Sequence, residues 1–138
     1  MIRVLIVDDV KDDVDDITAA AREAGLSEDS LTVARTEGEA NAHIRDYEFD
    51  LAVIDLCLSL PQKQPGKEEG LDVIARLHEE QPACRIIAKT THRGLREARE
   101  ALARGANDVV SSKWELLDWR TLLRQRLDFW RRMIDPSS

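Results

Sequence analysis

Short apolar runs alternate with amphipathic stretches along the chain, and this alternation predicts strands followed by helices. The apolar runs are too short for helices and are rich in Val and Ile, as buried strands are. The predicted strands are residues 2–7, 31–35, 50–55, 85–90 and 107–111. The predicted helices are residues 12–24, 37–47, a stretch from Leu71 to just before Pro82, 95–104 and 115–133.

This order of elements predicts an α/β fold. Parallel strands need crossover connections, which are usually helices, and right-handed crossovers leave few topologies. Five strand and helix repeats with short connections therefore indicate a parallel five-stranded sheet with helices on both faces, a three-layer sandwich. We expect one domain over residues 1–134 and a C-terminal tail over residues 135–138.

One connection is longer than the others. From Leu56 to Glu69 the chain turns polar and contains Pro61, Pro65 and Gly66. Proline and glycine interrupt regular structure, so this stretch predicts a long, mobile loop.

Composition narrows the function classes. With 138 residues, 43% of them apolar, the chain can bury one adequate core. Its 27 acidic against 20 basic residues argue against a nucleic-acid backbone binder. Cys57 and Cys84 lack the spacing of paired zinc ligands or of a disulfide framework. No apolar run approaches the roughly 20 residues of a membrane span, and no signal sequence is evident. We therefore expect a soluble, cytoplasmic protein.

Carboxylates follow two of the predicted strands directly. Asp8 and Asp9 follow the first strand, and Asp55 ends the third. The carboxyl ends of parallel strands meet at one edge of the sheet, where open α/β folds bind ligands. Three carboxylates at that edge would repel one another unless a cation or protons intervened. The sequence therefore predicts a metal site, although capping of the next helix is the alternative for Asp8 and Asp9 alone.

Two more polar residues belong to the same edge, since Thr90 ends the fourth strand and Lys113 follows the fifth. Together with the carboxylates and with Gly105-Ala106 before the fifth strand, they form an ordered set that resembles the receiver domain of two-component response regulators. The resemblance covers essentially the whole chain. It implies a flavodoxin-like fold with strand order 2-1-3-4-5.

The resemblance also implies a role for each residue of the set. Asp55 would be the phosphoacceptor, because a carboxylate can form an aspartyl phosphate. Mg²⁺ prefers oxygen ligands, and its protein ligands would be Asp8, Asp9, Asp55 and the main-chain carbonyl of Cys57.

Thr90 would donate its hydroxyl to the phosphoryl group, and Lys113 would pair with a phosphoryl oxygen. The spacing to Gly105 favours Thr90 as this hydroxyl, whereas the spacing to the lysine favours Thr91. The alternative for Lys113 is a lysine in solvent after the last strand.

Three departures from the family pattern concern the surroundings of this site. Gly70 stands 15 positions after the acceptor, where receiver domains reach a glycine after about eight, so the long loop contains an insertion. Trp114 follows Lys113 in place of the usual proline. Val109 and Val110 occupy the fifth strand where an aromatic residue is expected.

Two functions fit these residues. In the first, a histidine kinase or phosphotransfer protein phosphorylates Asp55, and the altered surface then binds a downstream protein. Such a chain is a phosphoacceptor with slow autodephosphorylation at most, and not an enzyme in the usual sense. In the second, a pseudo-receiver binds proteins without phosphorylation. A dehalogenase-type hydrolase is disfavoured, because Asp8 and Asp55 lack a second acid two residues later.

The last helix carries more apolar surface than packing on the sheet requires. One stripe at helical spacing comprises Leu116, Trp119, Leu123, Leu127, Trp130 and Ile134. Leu122, Phe129 and Met133 widen it. The wider stripe predicts either a larger local core or a surface for a partner or a homodimer.

Overall fold

The computed structural model describes residues 1–58, 69–90, 95–111 and 118–134. In these residues strands and helices alternate from the first strand to the last helix. The strands are β1 (Val4–Val7), β2 (Leu31–Ala34), β3 (Leu51–Asp55), β4 (Arg85–Thr90) and β5 (Asp108–Ser111). The helices are α1 (Lys11–Glu23), α2 (Glu37–Asp46), α3 (Glu69–Glu80), α4 (Leu95–Arg104) and α5 (Trp119–Ile134). A short 3₁₀ turn, Glu28–Ser30, precedes β2.

The five strands form one parallel sheet in the order β2-β1-β3-β4-β5. This order confirms the flavodoxin-like (βα)₅ fold predicted from the sequence. The register sets Val7 beside Ile54, and Asp55 beside Lys89. Side chains in register point to the same face of a sheet, so the last pair shares one face.

Apolar side chains fill both faces of the sheet, because successive residues of each strand point to opposite sides. On one face, Leu5, Ala52, Ile54 and Ile86 belong to a core with α2 and α3 residues such as Ile44 and Ile74. On the other, Val4, Ile6, Val53 and Ile87 pack with α1 and α5 residues such as Ile17 and Leu127. The predicted three-layer sandwich is therefore confirmed.

No helix in the part of the chain that the structure describes is both long enough and apolar enough to cross a lipid bilayer.

The long connection after β3 is shorter in the structure than the sequence predicts. Leu56, Cys57 and Leu58 are buried in the protein interior, and Glu69 is the first residue of α3. Residues 56–58 have no regular structure, as predicted, but their side chains are buried rather than exposed as in a mobile polar loop, and the prediction is wrong at Glu69, which belongs to α3. The rest of the loop, residues 59–68, lies outside the described residues.

The beginning of α3 lies against the backbone that carries Asp55. The amide of Gly70 donates a hydrogen bond to the carbonyl of Leu56 at 3.1 Å. A Cβ atom at Gly70 would lie 2.1 Å from the carbonyl oxygen of Asp55 and 2.6 Å from the Cα of Leu56. Only glycine allows this approach, so Gly70 fixes how closely α3 packs on the end of β3.

The last helix begins at Trp119, later than predicted. Asp118 lies outside the helix, where its carboxylate accepts hydrogen bonds from the amide of Arg120 at 3.0 Å and the hydroxyl of Thr121 at 2.9 Å. The predicted helix start at residue 115 is therefore wrong at Asp118, which acts as the cap. Residues 115–117 and the predicted tail, 135–138, lie outside the described residues.

The wider apolar stripe of α5 divides into two parts. Leu122 packs against the core between α1, α5 and the sheet. Phe129 and Met133 instead remain 45% and 63% exposed. The guanidinium of Arg85 lies over the Phe129 ring, 5.1 Å from its centre. A larger local core therefore accounts for Leu122 only.

Candidate functional site

Three carboxylates meet at the carboxyl edge of the sheet. Asp8 follows β1 and Asp55 ends the neighbouring strand β3, and their exposed fractions are 1% and 2%. Asp9 is half-buried beside them. One carboxylate oxygen from each of the three lies within 4.8 Å of the others. The strand order thus gathers residues that are 47 positions apart in the chain.

Asp8 and Asp55 are oriented in the same way, each by a backbone amide two residues later. Asp8 Oδ1 accepts a hydrogen bond from the amide of Val10 at 3.0 Å. Asp55 Oδ1 accepts one from the amide of Cys57 at 3.1 Å. These bonds occupy one oxygen of each carboxylate and turn the other, Oδ2, toward a common centre.

A buried lysine of β4 lies at that centre, with an exposed fraction of 1%. The ammonium nitrogen of Lys89 is 2.6 Å from Asp8 Oδ2 and 2.6 Å from Asp13 Oδ2, and Asp13 belongs to the first turn of α1. It is 3.9 Å from Asp55 Oδ2. Lys89 therefore contacts carboxylates from β1, β3 and α1 together.

Reasoning from the sequence missed Lys89. The signal was present, because Lys89 directly follows the apolar residues Ile86–Ala88 in an interior strand. A lysine in such a strand is buried, and buried charges are paired. Its position two residues after Ile87 also placed it on the face that carries Asp55.

Burial and the neighbouring charges shift the pKa values of both Asp55 and Lys89. Burial raises the pKa of Asp55 to about 7, and the charge of Asp8 acts in the same direction, whereas Lys89 and the amide of Cys57 oppose the shift. Burial alone would lower the pKa of Lys89, but the charges of Asp55, Asp13 and Asp8 outweigh it and raise the pKa. Lys89 is therefore a cation at neutral pH, and any added positive charge would favour the ionised form of Asp55.

The structure describes two of the other predicted site residues, Thr90 and Cys57. Thr90 is buried at the end of β4, one residue beyond Lys89 and in register with Ser111. Cys57 is buried beside Asp55, and it is its amide that contacts the carboxylate. Lys113, its neighbour Trp114 and the alternative hydroxyl residue Thr91 lie outside the described residues.

The donor set of this pocket fits a small divalent cation such as Mg²⁺. Its carboxylate oxygens are hard ligands, and three of them lie close enough to share one ion. Asp8, Asp9 and Asp55 would hold the ion. Such an ion would neutralise negative charge around Asp55. Lys89 already supplies one positive charge to the same carboxylates.

Comparison with known families identifies the class of protein. Residues 4–124 match the family model of the response regulator receiver domain. This match covers most of the chain, and the chain belongs to the receiver domains of two-component response regulators. Receiver domains are phosphoacceptors rather than enzymes in the usual sense, and they interact with histidine kinases or phosphotransfer proteins.

Individual relatives agree with this class. The chain is 29% identical to the uncharacterized protein y4jS of Sinorhizobium fredii, over 92% of this chain and 32% of that protein. It is 28% identical to the alginate biosynthesis transcriptional regulatory protein AlgB of Pseudomonas putida, over 78% of this chain and 22% of that protein. The chain thus spans about a third of the first relative and about a fifth of the second.

Solved structures agree with the fold. A CheY-like response regulator receiver domain protein from Methanospirillum hungatei superimposes with a TM-score of 0.77, covers 99% of both chains and is 24% identical. At this identity the likeness concerns the fold alone.

Proposed function

We propose that the chain is a phosphorelay receiver in which Asp55 accepts a phosphoryl group from a phosphohistidine donor with Mg²⁺ bound. The observation that carries this proposal is the placement of Asp55. It ends β3 in a pocket of carboxylates, with Oδ1 held by the amide of Cys57 and Oδ2 facing inward. A carboxylate held in a fixed position suits an acceptor of phosphoryl transfer, because this reaction depends mostly on positioning and on neutralisation of charge.

The transfer exchanges one bond to phosphorus for another. The free oxygen of Asp55 attacks the phosphorus of the phosphohistidine, and a P–O bond forms while the P–N bond breaks. The electron pair of the P–N bond stays on the imidazole nitrogen, which takes up a proton and leaves as neutral histidine. Asp55 must be ionised to act as the nucleophile, and nearby positive charge favours that form.

The remaining residues of the site support this step. Asp8, Asp9 and the carbonyl of Cys57 would complete the cation site with Asp55. Thr90 would donate its hydroxyl to the phosphoryl group, and Lys113 would pair with a phosphoryl oxygen. We propose a histidine kinase or phosphotransfer protein in the cytoplasm as the donor and a downstream protein as the recipient of the signal. Phe129 and Met133 on α5 are candidates for contacts with that protein or with a second copy of the chain.

A second candidate function is a pseudo-receiver that binds proteins without phosphorylation. Lys89 favours it, because this lysine already neutralises part of the pocket in which the cation would bind. In that case the exposed surface alone would select the partner, independently of Asp55.

Intact-mass measurement with Mg²⁺ and either phosphoramidate or a phosphorylated histidine kinase separates the two functions. We expect the wild-type chain to gain the mass of one phosphoryl group, and Asp55→Asn to gain none. Asp29→Asn, which changes an exposed aspartate far from the pocket, serves as the matched control and should behave as the wild type. A wild-type chain that gains no mass with either donor would contradict phosphorylation and favour the pseudo-receiver.

A further inference from the structure

We propose that Lys89 is the resident counter-ion of the acidic pocket and competes with a divalent cation for Asp8. This inference rests on the proposed function, because it concerns the affinity for the cation on which phosphorylation depends. In this role, Lys89 of β4 controls how tightly the pocket binds Mg²⁺.

The competition follows from the donors that already surround Asp8. Its Oδ1 accepts a hydrogen bond from the amide of Val10, and its Oδ2 accepts one from the ammonium of Lys89 at 2.6 Å. Both oxygens of this carboxylate are therefore engaged by hydrogen-bond donors. A cation that bound Oδ2 would share this oxygen with the ammonium, and it would then lie beside a like charge that is 2.6 Å from the same oxygen.

Lys89 is also held firmly where it lies. Asp13 binds the same ammonium from α1, opposite Asp8, again at 2.6 Å. Lys89 is the next-to-last residue of β4, on the same face as buried Ile87, and its exposed fraction is only 1%. The ammonium cannot leave for solvent without breaking two charged hydrogen bonds, so it stays in the pocket and opposes an incoming cation.

Charge repulsion adds to the competition for the ligand oxygen. Lys89 Nζ is 3.9 Å from Asp55 Oδ2, so an ion that shared the oxygens of Asp8 and Asp55 would lie within a few ångströms of a like charge. At such distances inside a protein, repulsion between a divalent and a monovalent cation is large and poorly screened. Removal of the ammonium should therefore strengthen cation binding.

Titration of Mg²⁺ by isothermal calorimetry, or by tryptophan fluorescence, tests this role in the full chain. We expect Lys89→Met, which keeps the apolar stem and removes the charge, to bind Mg²⁺ at least about tenfold more tightly than the wild type. Lys11→Met is the matched control, because Lys11 is an exposed lysine of α1 paired with Asp15. It should change the affinity by no more than about twofold. Equal or weaker binding by folded Lys89→Met overturns the proposal, as does the absence of binding in both proteins.

A second measurement covers the case in which circular dichroism shows that Lys89→Met does not fold. The sequence contains five lysines, so the ¹⁵N ammonium signals of the wild type can be assigned with Lys89→Arg as the reference. We expect the Lys89 signal to be protected from exchange without Mg²⁺ and to shift or lose protection as Mg²⁺ is added. A Lys89 signal that stays unchanged throughout the titration overturns the proposal in that case.

These outcomes are distinct from those of the phosphorylation test. A chain that is phosphorylated on Asp55 but binds Mg²⁺ equally with and without Lys89 contradicts the role of the lysine alone. A chain that is never phosphorylated, yet binds Mg²⁺ more tightly after Lys89→Met, contradicts the phosphorelay function alone.

Discussion

Near the amino edge of the sheet, neutral side-chain amides bind the backbone, whereas at the carboxyl edge carboxylates bind both backbone amides and a buried ammonium. Near the amino edge, the side chain of Gln81 accepts a hydrogen bond from the amide of Phe49 at 2.7 Å. It also donates hydrogen bonds to the carbonyls of Ile44 and Tyr47, at 3.0 and 2.7 Å. Asn107 accepts the amide of Ile86 at 2.8 Å. These neutral side-chain amides satisfy backbone hydrogen-bonding groups at that edge.

The carboxyl edge has a different balance. Among the described residues, the carboxylates of Asp8, Asp13 and Asp55 lie within 3.9 Å of the ammonium of Lys89, and Asp9 lies beside Asp8 and Asp55. Their charges do not cancel, so the edge retains negative charge that a ligand can neutralise. The difference shows that the contacts of the side-chain amides near the amino edge are satisfied within the fold, while the carboxyl edge keeps unbalanced charge.

The largest effect expected at the carboxyl edge comes from Gly70→Ala. The new Cβ would lie 2.1 Å from the carbonyl oxygen of Asp55, which is backbone and has little freedom to move. We expect a loss of more than about 3 kcal/mol in the free energy of unfolding, measured by urea denaturation. Gly38→Ala is the control, because its Cβ would meet nothing closer than 3.9 Å. A Gly70→Ala protein as stable as the wild type would show that α3 does not depend on this close approach.

At the amino edge, Gln81→Ala should have the next largest effect. Loss of Gln81 leaves the amide of Phe49 and the carbonyls of Ile44 and Tyr47 without this partner, and we expect a cost of about 2 kcal/mol. Because no charge is involved, the loss should be the same at low and high salt in urea denaturation. Glu79→Ala, an exposed change near the end of α3 and two residues before Gln81, is the control. A strong dependence on salt would show that charged groups contribute to these contacts.

Asp13→Asn should have a smaller effect, and one that depends on salt. The change removes one of the two closest carboxylates from Lys89, but Asp13 is 34% exposed, so solvent screens part of the interaction. We expect a loss of about 1 kcal/mol at low salt that shrinks as salt is added. Asp12→Asn, an exposed change in the same first turn of α1, controls for the helix dipole. Equal effects of the two substitutions would mean that the contact with Lys89 contributes nothing.

The smallest effect on stability concerns the thiol of Cys84 near the amino edge, because its protonation changes only at alkaline pH. Burial, with a contribution from Asp50, raises the pKa of Cys84 from 9.0 to about 12. The folded chain keeps this proton where the unfolded chain loses it, so stability should fall as the pH rises from about 9 toward 12.

Alkylation in a Cys57→Ser background tests the protonation of Cys84. We expect iodoacetamide at pH 9 to modify Cys84 far more slowly in the folded chain than in urea. Rapid alkylation of the folded chain would contradict a buried, protonated thiol. In the same background, Cys84→Ser should remove this part of the alkaline loss of stability.

The fold and the carboxylates could be predicted because they depend on local patterns. The bounds of β4 and α4 match the predicted residues, since each is a clear apolar or amphipathic run. Asp8, Asp9 and Asp55 follow from strand ends that parallel topology brings together. The cap at Asp118 had a signal as well, in Thr121 three residues later, but the apolar pattern outweighed it.

Contacts across the chain account for what could not be predicted. Lys89 and Asp13 are 76 positions apart, and periodicity assigns each to a face without naming its partner. The approach of Gly70 to Asp55 depends on the distance between two backbones, which no residue pattern encodes. Both features complete the pocket, and both required coordinates.

The contact between Lys89 and Asp13 has a consequence for the evolution of the family. Lys89 also contacts Asp8 and Asp55, and the acid on α1 adds a further partner for its charge, so a change of either residue of the pair carries a cost. Among related receiver domains, we therefore expect lysine at the position of Lys89 and an acidic residue at the position of Asp13 to be inherited together. Where the lysine is replaced by an apolar residue, the α1 position should be free to drift.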